Sequence, residues 1–249
     1  MFGQTTPKPL EFEVASIRPH PAGDTSSRLG LVPGGVNGTN VTLLQLIRTA
    51  YQIDEFQLVG APGWVSDERW DVMARNSSLI PDDPNTIPVT QRAILQPQLE
   101  EMLRSLLADR FQLVARRESR QQSVYFLIVG NRGHKLSQTT DASNSVSTNA
   151  NNGRNLATFS GSSMGRLAQQ ISRRVGTPVI DRTGLSGTYD FKLEWTSELG
   201  EPGAAANPAD SSAPSIFTAV QEQLGLRLES GKGLADVLVV ERAARPSEN

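Results

Sequence analysis

The chain reads as an α+β fold: duplicated helix-strand-strand units that form antiparallel sheets, with helices packed on one face. Three observations lead there. The stretch Ser162 to Trp195 spells a complete unit of helix, short strand, Gly-rich turn and second strand. Looser versions of that unit occur three more times along the chain. One such unit cannot bury its apolar face alone, so the units must pack on one another.

In the central unit, Ser162 and Ser163 are good N-caps, because a hydroxyl accepts from the free N–H groups of the first helical turn. Met164, Leu167, Ala168, Ile171 and Val175 fall on one helical face. Gly176 suits the residue after the helix, and Pro178 keeps it from resuming. Val179 and Ile180 make a short strand, and Asp181 to Gly187 is turn chemistry. Tyr189, Phe191, Leu193 and Trp195 alternate with polar residues, as in a strand with one face buried.

Taken from the start, Met1 to Pro9 reads as a flexible leader without the basic region or apolar core of a signal peptide. Glu11 to Arg18 alternates as a strand. Pro19 to Gly38 reads as a loop, with turns at Gly34-Gly35 and Asn37-Gly38. Thr39 or Asn40 is placed to cap a helix whose apolar face is Leu43, Leu44, Ile47 and Tyr51. A short strand at Phe56 to Val59, a turn at Gly60 to Gly63 and a strand carrying Trp70, Val72 and Ala74 complete the first unit. Its RWDVMA parallels TYDFKL of the central unit.

Ser77 to Gln91 is a polar connection. The second unit begins near Pro97, with a helix stripe of Leu99, Met102, Leu103, Leu106 and Leu107. A strand at Phe111 to Ala115, a turn at Arg116 to Gln122 and an almost wholly apolar strand at Val124 to Gly130 follow. Asn131 to Thr158, rich in Asn, Ser and Thr, reads as a linker or excursion, and Ser197 to Ala213 as another. In the fourth unit Ser215 caps a helix with Ile216, Phe217, Val220 and Leu224. It runs into a strand ending at Leu228, a turn at Glu229 to Leu234 and a last strand, Val237 to Val240. The expected layout is a leader 1–10, α+β halves 11–130 and 159–243 separated by 131–158, and a polar tail 244–249.

Composition narrows the function. The net charge is −2 and no segment is strongly basic, so nucleic acid is not an expected partner. The absence of cysteine removes disulfides, zinc-thiolate sites and a Cys nucleophile, and it fits an exported bacterial protein. No apolar run approaches the ~20 residues that cross a bilayer.

Candidate chemistry is sparse. His20 and His134 lie in loops, each without a second histidine nearby; metal sites need clustered ligands, so neither a metal nor a cofactor is expected. His20 with Asp24 is the best pair. Gly161 to Gly165 partly mimics a nucleophile elbow, but a helix cap accounts better for Ser163. Gly184 to Gly187 leads into a strand, not a helix, and so is no phosphate loop. Asp67, Glu68 and Asp71 cluster around Trp64 and Trp70, as in sugar hydrolysis. Asp71 has a counterpart in Asp190, however, which points to a structural hydrogen bond. Arg116, Arg117 and Arg120 read as a solvated hairpin tip. No catalytic residue is assigned. Trp64, in a Pro-Gly turn, and the nearby Arg69 remain as candidate contact residues.

FEVASIRP, TNVTLLQLIRTAYQI, QLVGAPGWVSDERWDVMA, MLRSLLADRFQLVARRE, PVIDRTGLSGTYDFKLEW, PSIFTAVQEQLGLRLES and the closing RPSEN resemble an uncharacterised "soil-associated" family of exported proteins abundant in Acidobacteria. The resemblance runs through essentially the whole chain. Similar domains occur on membrane metallopeptidases of the beta-lactam-sensor type, but the His-Glu-x-x-His motif of those peptidases is absent here. LAQQISRRVGTPVIDRTGLSGTYDFKL is also similar to the short N-terminal modules of secretins and TonB-dependent receptors, which are periplasmic interaction domains. The family brings no established activity; the repeated units, the lack of a catalytic constellation and this resemblance together lead us to expect an exported, non-catalytic binding or interaction module that contacts a protein or a cell-envelope component. A secreted hydrolase whose site assembles only in three dimensions is the alternative.

Overall fold

A computed structural model of the chain describes residues 10–24, 26–32, 35–76, 87–151, 153–196 and 214–246. Among these residues it holds five α-helices and twelve strands in three sheets rich in antiparallel pairs, an α+β fold. The chain divides into two compact units, Met1–Glu118 with Asp236–Asn249, and Ser119–Ala235.

The first unit contains β1 (Val14–Pro19), β2 (Arg28–Val32), β3 (Gly35–Thr42), α1 (Leu43–Tyr51), β4 (Leu58–Val59), α2 (Trp64–Asp67), β5 (Arg69–Arg75) and α3 (Val89–Arg110). It also takes the start of β6 (Val114–Val129) and the end of β12 (Leu226–Arg242). Its main sheet has the order β1-β5-β3-β2, all antiparallel. β4 pairs parallel with the end of β12, Leu58 opposite Leu238. The expected loop 19–38 therefore carries a hairpin, and Asn37-Gly38 lies inside β3; Gly34 lies outside the described residues. The glycines hid these strands. A Cβ at Gly35 would sit 2.1 Å from the Ala74 carbonyl oxygen, so glycine here marks a close backbone approach and not a turn.

The cap of α1 is Thr42, not Thr39 or Asn40. Its hydroxyl accepts from the Gln45 N–H (3.1 Å) while its own N–H donates to Gln45 Oε1 (2.9 Å), a reciprocal capping box. Leu43, Leu44, Leu46, Ile47 and Ala50 of α1 are buried with Trp70, Val72 and Ala74 of β5. α3 supplies Leu95, Leu99, Met102, Leu103, Leu106 and Leu107 to the same core, so in this unit the helices cover one face of the sheet. α3 starts at Val89 and runs through Pro97, upstream of the expected start. Leu95 extends the apolar stripe past the proline, and its burial outweighs the hydrogen bond that proline cannot donate.

The second unit contains β7 (Ser137–Thr139), β8 (Ser145–Asn151), β9 (Arg154–Ser162), α4 (Met164–Val175), β10 (Val179–Asp181), β11 (Thr188–Thr196) and α5 (Ile216–Leu224). The order of its main sheet is β7-β11-β9-β8, again antiparallel. β10 pairs parallel with β6, Val179 opposite Tyr125. The stretch 131–158, expected as a linker, supplies β7, β8 and the first half of β9. Its Ser/Thr/Asn composition reflects an edge strand: every residue of β8 is exposed except the half-buried Val146, so no apolar alternation appears. Ser163 caps α4, accepting from the Arg166 N–H at 3.2 Å, and Ser215 caps α5. Tyr189, Leu193 and Trp195 of β11 are buried with Phe159, Leu167 and Ile171.

β6 and β12 are each a single long strand, where the sequence led us to expect two strands and a turn. Arg116, read as part of a hairpin tip, lies within β6 and pairs with Glu118 and Glu241. Gly231 and Gly233, read as turn glycines, lie within β12. A Cβ at Gly231 would meet the Phe126 ring at 2.6 Å, so the missing side chain makes room for an aromatic ring on the neighbouring strand.

Candidate functional site

The structure separates the residues that looked chemical in the sequence. Trp64 opens α2, half-buried against the core of the first unit. The Arg245 guanidinium lies 5.2 Å from its ring centroid and is forked onto Glu68 at 2.6–3.0 Å. Trp64 is thus covered by an ion pair. His20 meets Asp71, not Asp24, with Nδ1 2.8 Å from Oδ1. The same carboxylate oxygen accepts the Asn40 N–H at 3.0 Å. His134 is exposed; its Nδ1 accepts the Leu136 N–H at 3.3 Å. Ser162 is buried and donates to the Ser145 carbonyl.

Asp71 and Asp190 perform matching tasks. Asn40 stands two residues before the α1 cap with φ 55°, and its N–H goes to Asp71. Gly161 stands two residues before the α4 cap, also with φ 55°, and its N–H goes to Asp190 at 2.7 Å. Each N–H belongs to a kinked strand that has lost its ladder partner there, and register shifts mark both places. A carboxylate supplies the missing acceptor. The acids near Trp64 and Trp70 are thereby divided among different partners.

Arg69 leads elsewhere. Along β5, Arg69, Asp71, Met73 and Arg75 alternate with the buried Trp70, Val72 and Ala74, so they share the face turned away from the core. Residues directly opposite on paired strands share a face. Arg18 lies opposite Asp71 on β1. Asn37 lies opposite Met73 on β3, and Arg28 of β2 lies opposite Thr39, two residues further along. Arg18, Arg28, Arg69 and Arg75 are all exposed. Successive side chains on one face of a strand stand about 6–7 Å apart, so Arg18 and Arg69 flank Asp71. Among the described residues none of the four arginines forms an ion pair, and Asp71, the carboxylate of this face, is engaged by His20 and the Asn40 N–H. The sheet face is open, basic and polar, with the exposed Met73 at its centre.

Of these four, the sequence had singled out Arg69 and not Arg18, Arg28 or Arg75. The alternation in RWDVMAR was a usable signal for Arg75. Arg18 and Arg28 join the face only because β1 pairs with β5 and β2 with β3.

Two open cavities take other residues. One, about 430 Å³, is lined by Glu11, Glu13, Asp109 and Arg110 among others. The other, about 480 Å³, lies where Gly130 donates to the Gly225 carbonyl and Lys135 to that of Glu222, a cation at the C-terminal end of α5. Neither histidine lines them. Among the described residues no three His, Cys, Asp or Glu side chains gather as a metal site, and no helix is long and apolar enough to cross a membrane.

Residues 44–243 match the family described as "Protein of unknown function (DUF3738)". The chain belongs to this family. The DUF3738 match opens within α1 and closes just beyond β12, so it takes in Arg69 and Arg75 and leaves Arg18 and Arg28 before it. No curated protein and no solved structure matches the chain.

Proposed function

We propose that this DUF3738 protein is an exported, non-catalytic interaction module that docks through the arginine face of its first unit onto an anionic protein or cell-envelope component. The observation that carries this reading is the set of four arginines on one open sheet face, set against a single carboxylate that is already engaged. Guanidinium groups recognise carboxylates and phosphates through paired hydrogen bonds, and a field of one sign raises the rate of encounter with an oppositely charged partner. Export rests on the resemblance to an exported family and on the absence of cysteine. The hydrolase alternative draws on the His20–Asp71 pair, whose Nε2 is buried without a partner. Yet Asp71 is committed to the strand kink, and Ser163 to its cap.

The module also reads as an internal duplication. Supporting it are the matching strand orders, β1-β5-β3-β2 and β7-β11-β9-β8, and the matching carboxylates on kinked strands. Trp70 and Tyr189 stand directly before those carboxylates, and both are buried.

The test is affinity capture from envelope extracts of the native host, with the wild type and an Arg18→Glu/Arg69→Glu/Arg75→Glu variant as paired baits. The expected result is a partner held by the wild type, released at raised ionic strength and lost with the variant, while the variant keeps its melting temperature. Identical capture by both baits overturns the docking face.

A further inference from the structure

We infer that the open cavity at the C-terminal end of α5 binds a small anionic sugar, a hydroxylated ring that carries a carboxylate or a phosphate. The site lies wholly in the second unit and does not depend on the arginine face.

The first observation is room on a fixed frame. The cavity holds about 480 Å³, within the roughly 300–1,000 Å³ of small-molecule sites. One wall is the turn Gly130 to Gly133 that follows β6, and the other is the last turn of α5. Backbone bonds lock the walls together. The Gly130 N–H donates to the Gly225 carbonyl at 2.9 Å, and the Lys135 N–H donates to the Leu224 carbonyl at 2.8 Å. The Gly133 N–H closes the turn on the Gly130 carbonyl at 2.9 Å. A Cβ at Gly225 would stand 2.4 Å from the Gly133 carbonyl oxygen, and one at Gly130 would stand 2.9 Å from that of Gly225. Glycine at both positions lets the turn close on the helix end. A frame set before the ligand arrives reduces the ordering cost of binding.

The second observation is the lining. Apart from glycines, every residue that lines the cavity is polar or charged, so its ligand is hydrophilic. Arg132 is exposed and forms neither an ion pair nor a hydrogen bond among the described residues. Lys135 Nζ donates to the Glu222 carbonyl, which leaves two of its three N–H donors and offsets the negative end of the α5 dipole. Arg227 also lines the cavity but is paired with Glu229. Arg132 and Lys135 therefore remain for an anion, and a guanidinium takes carboxylate or phosphate through paired N–H groups.

The third observation adds hydroxyls to that anion. The side-chain amides of Asn131 and Gln221 and the carboxylate of Glu222 also line the cavity and have no partner among the described residues. Glu222 would repel a bare anion. Toward a hydroxylated one it is an acceptor for O–H donors, and the two amides both donate and accept. An anion and several hydroxyls on one small hydrophilic body describe an anionic sugar.

The test titrates the full chain with glucuronate and with glucose 6-phosphate and follows amide resonances. Expected are shifts confined to Asn131–Lys135 and Gln221–Gly225 with at least one of them, and the tighter of the two names the anion. Glucose, which lacks the charge, and acetate, which lacks the hydroxyls, should bind roughly tenfold or more weakly. Arg132→Gln should weaken sugar binding by a similar factor without lowering the melting temperature, since the side chain is exposed. Glu222→Gln should weaken the binding of glucose but not that of acetate. Lys192→Gln removes an exposed cation of β11 outside the cavity and should change nothing. Three results overturn the proposal: no shift at the cavity with either anionic sugar, glucose or acetate bound equally well, or a loss in Lys192→Gln as large as in Arg132→Gln. Such a failure leaves the arginine face untouched, because none of its residues belongs to this unit.

Discussion

Asp190→Ala should loosen the kink in β9 and cost measurable stability, although the side chain is exposed. The Gly161 N–H points at the Asp190 carboxylate from 2.7 Å, and Gly161 itself is buried at φ 55°. Without the carboxylate the N–H has no acceptor, and a buried donor left unsatisfied costs about 1–3 kcal/mol. Water can approach from the exposed side of Asp190, so the lower part of that range, about 1–2 kcal/mol, is expected. For a chain of this size that corresponds to a melting temperature lowered by roughly 2–8 °C. Asp190→Asn keeps an oxygen acceptor without the charge and should lose less than about 1 kcal/mol. Lys192→Ala, exposed on the same strand, should stay within about 0.5 kcal/mol of wild type. Urea and thermal unfolding of the three variants decide the matter. A wild-type melting temperature for Asp190→Ala, or an Asn variant as damaged as the Ala variant, refutes the role assigned to the carboxylate.

Leu106→Ala should cost about 2–5 kcal/mol by urea unfolding, because it empties a buried position of α3; Ser163→Ala should cost only about 1 kcal/mol through the lost cap. Burial pushes the Tyr51 phenol above the usual 10.0, partly offset by Arg104 and Arg117. The folded state thus holds that proton more tightly, so stability is full below pH 10 and falls as pH rises through the higher folded value. Alkaline unfolding curves should show this loss in the wild type and less of it in Tyr51→Phe.

The central unit was the most legible stretch because each of its signals was local. Ser163, the apolar stripe of α4, Gly176 and the alternation of Tyr189 to Trp195 stand where the residue pattern put them. The longest strands were least legible. In β6 the polar run Arg116 to Gln122 looks like a turn, but within it the exposed Arg117, Ser119 and Gln121 alternate with the half-buried Glu118, Arg120 and Gln122 along one strand. In β12, Gly231 and Gly233 read as turn residues because the Phe126 ring that needs their space is far away in sequence. β8 escaped notice for a related reason: an edge strand that buries almost nothing has no hydrophobic pattern to display. The arginine face was half legible. Its β5 members follow a period of two, whereas Arg18 and Arg28 arrive through strand pairing that no local pattern encodes.

The internal comparison separates what the fold needs from what it does not. Both sheets keep the same strand order, the kinked strand before the helix cap, the carboxylate that receives its N–H, and a buried aromatic next to that carboxylate. These features serve the backbone and core within each unit. The outer faces and edges diverge. On the first sheet β5 and its neighbours expose arginines. On the second, Arg154 is paired with Glu194. β1 is guarded by charge and proline, and β8 by neither. Nothing in the shared architecture requires these differences, because each sheet is complete without them. Exposed arginines lacking counter-charges gain little for stability, and an unguarded edge is a liability in a protein that has no use for it. In this chain such costs fall on two places: the arginine face of the first unit and the β8 edge of the second.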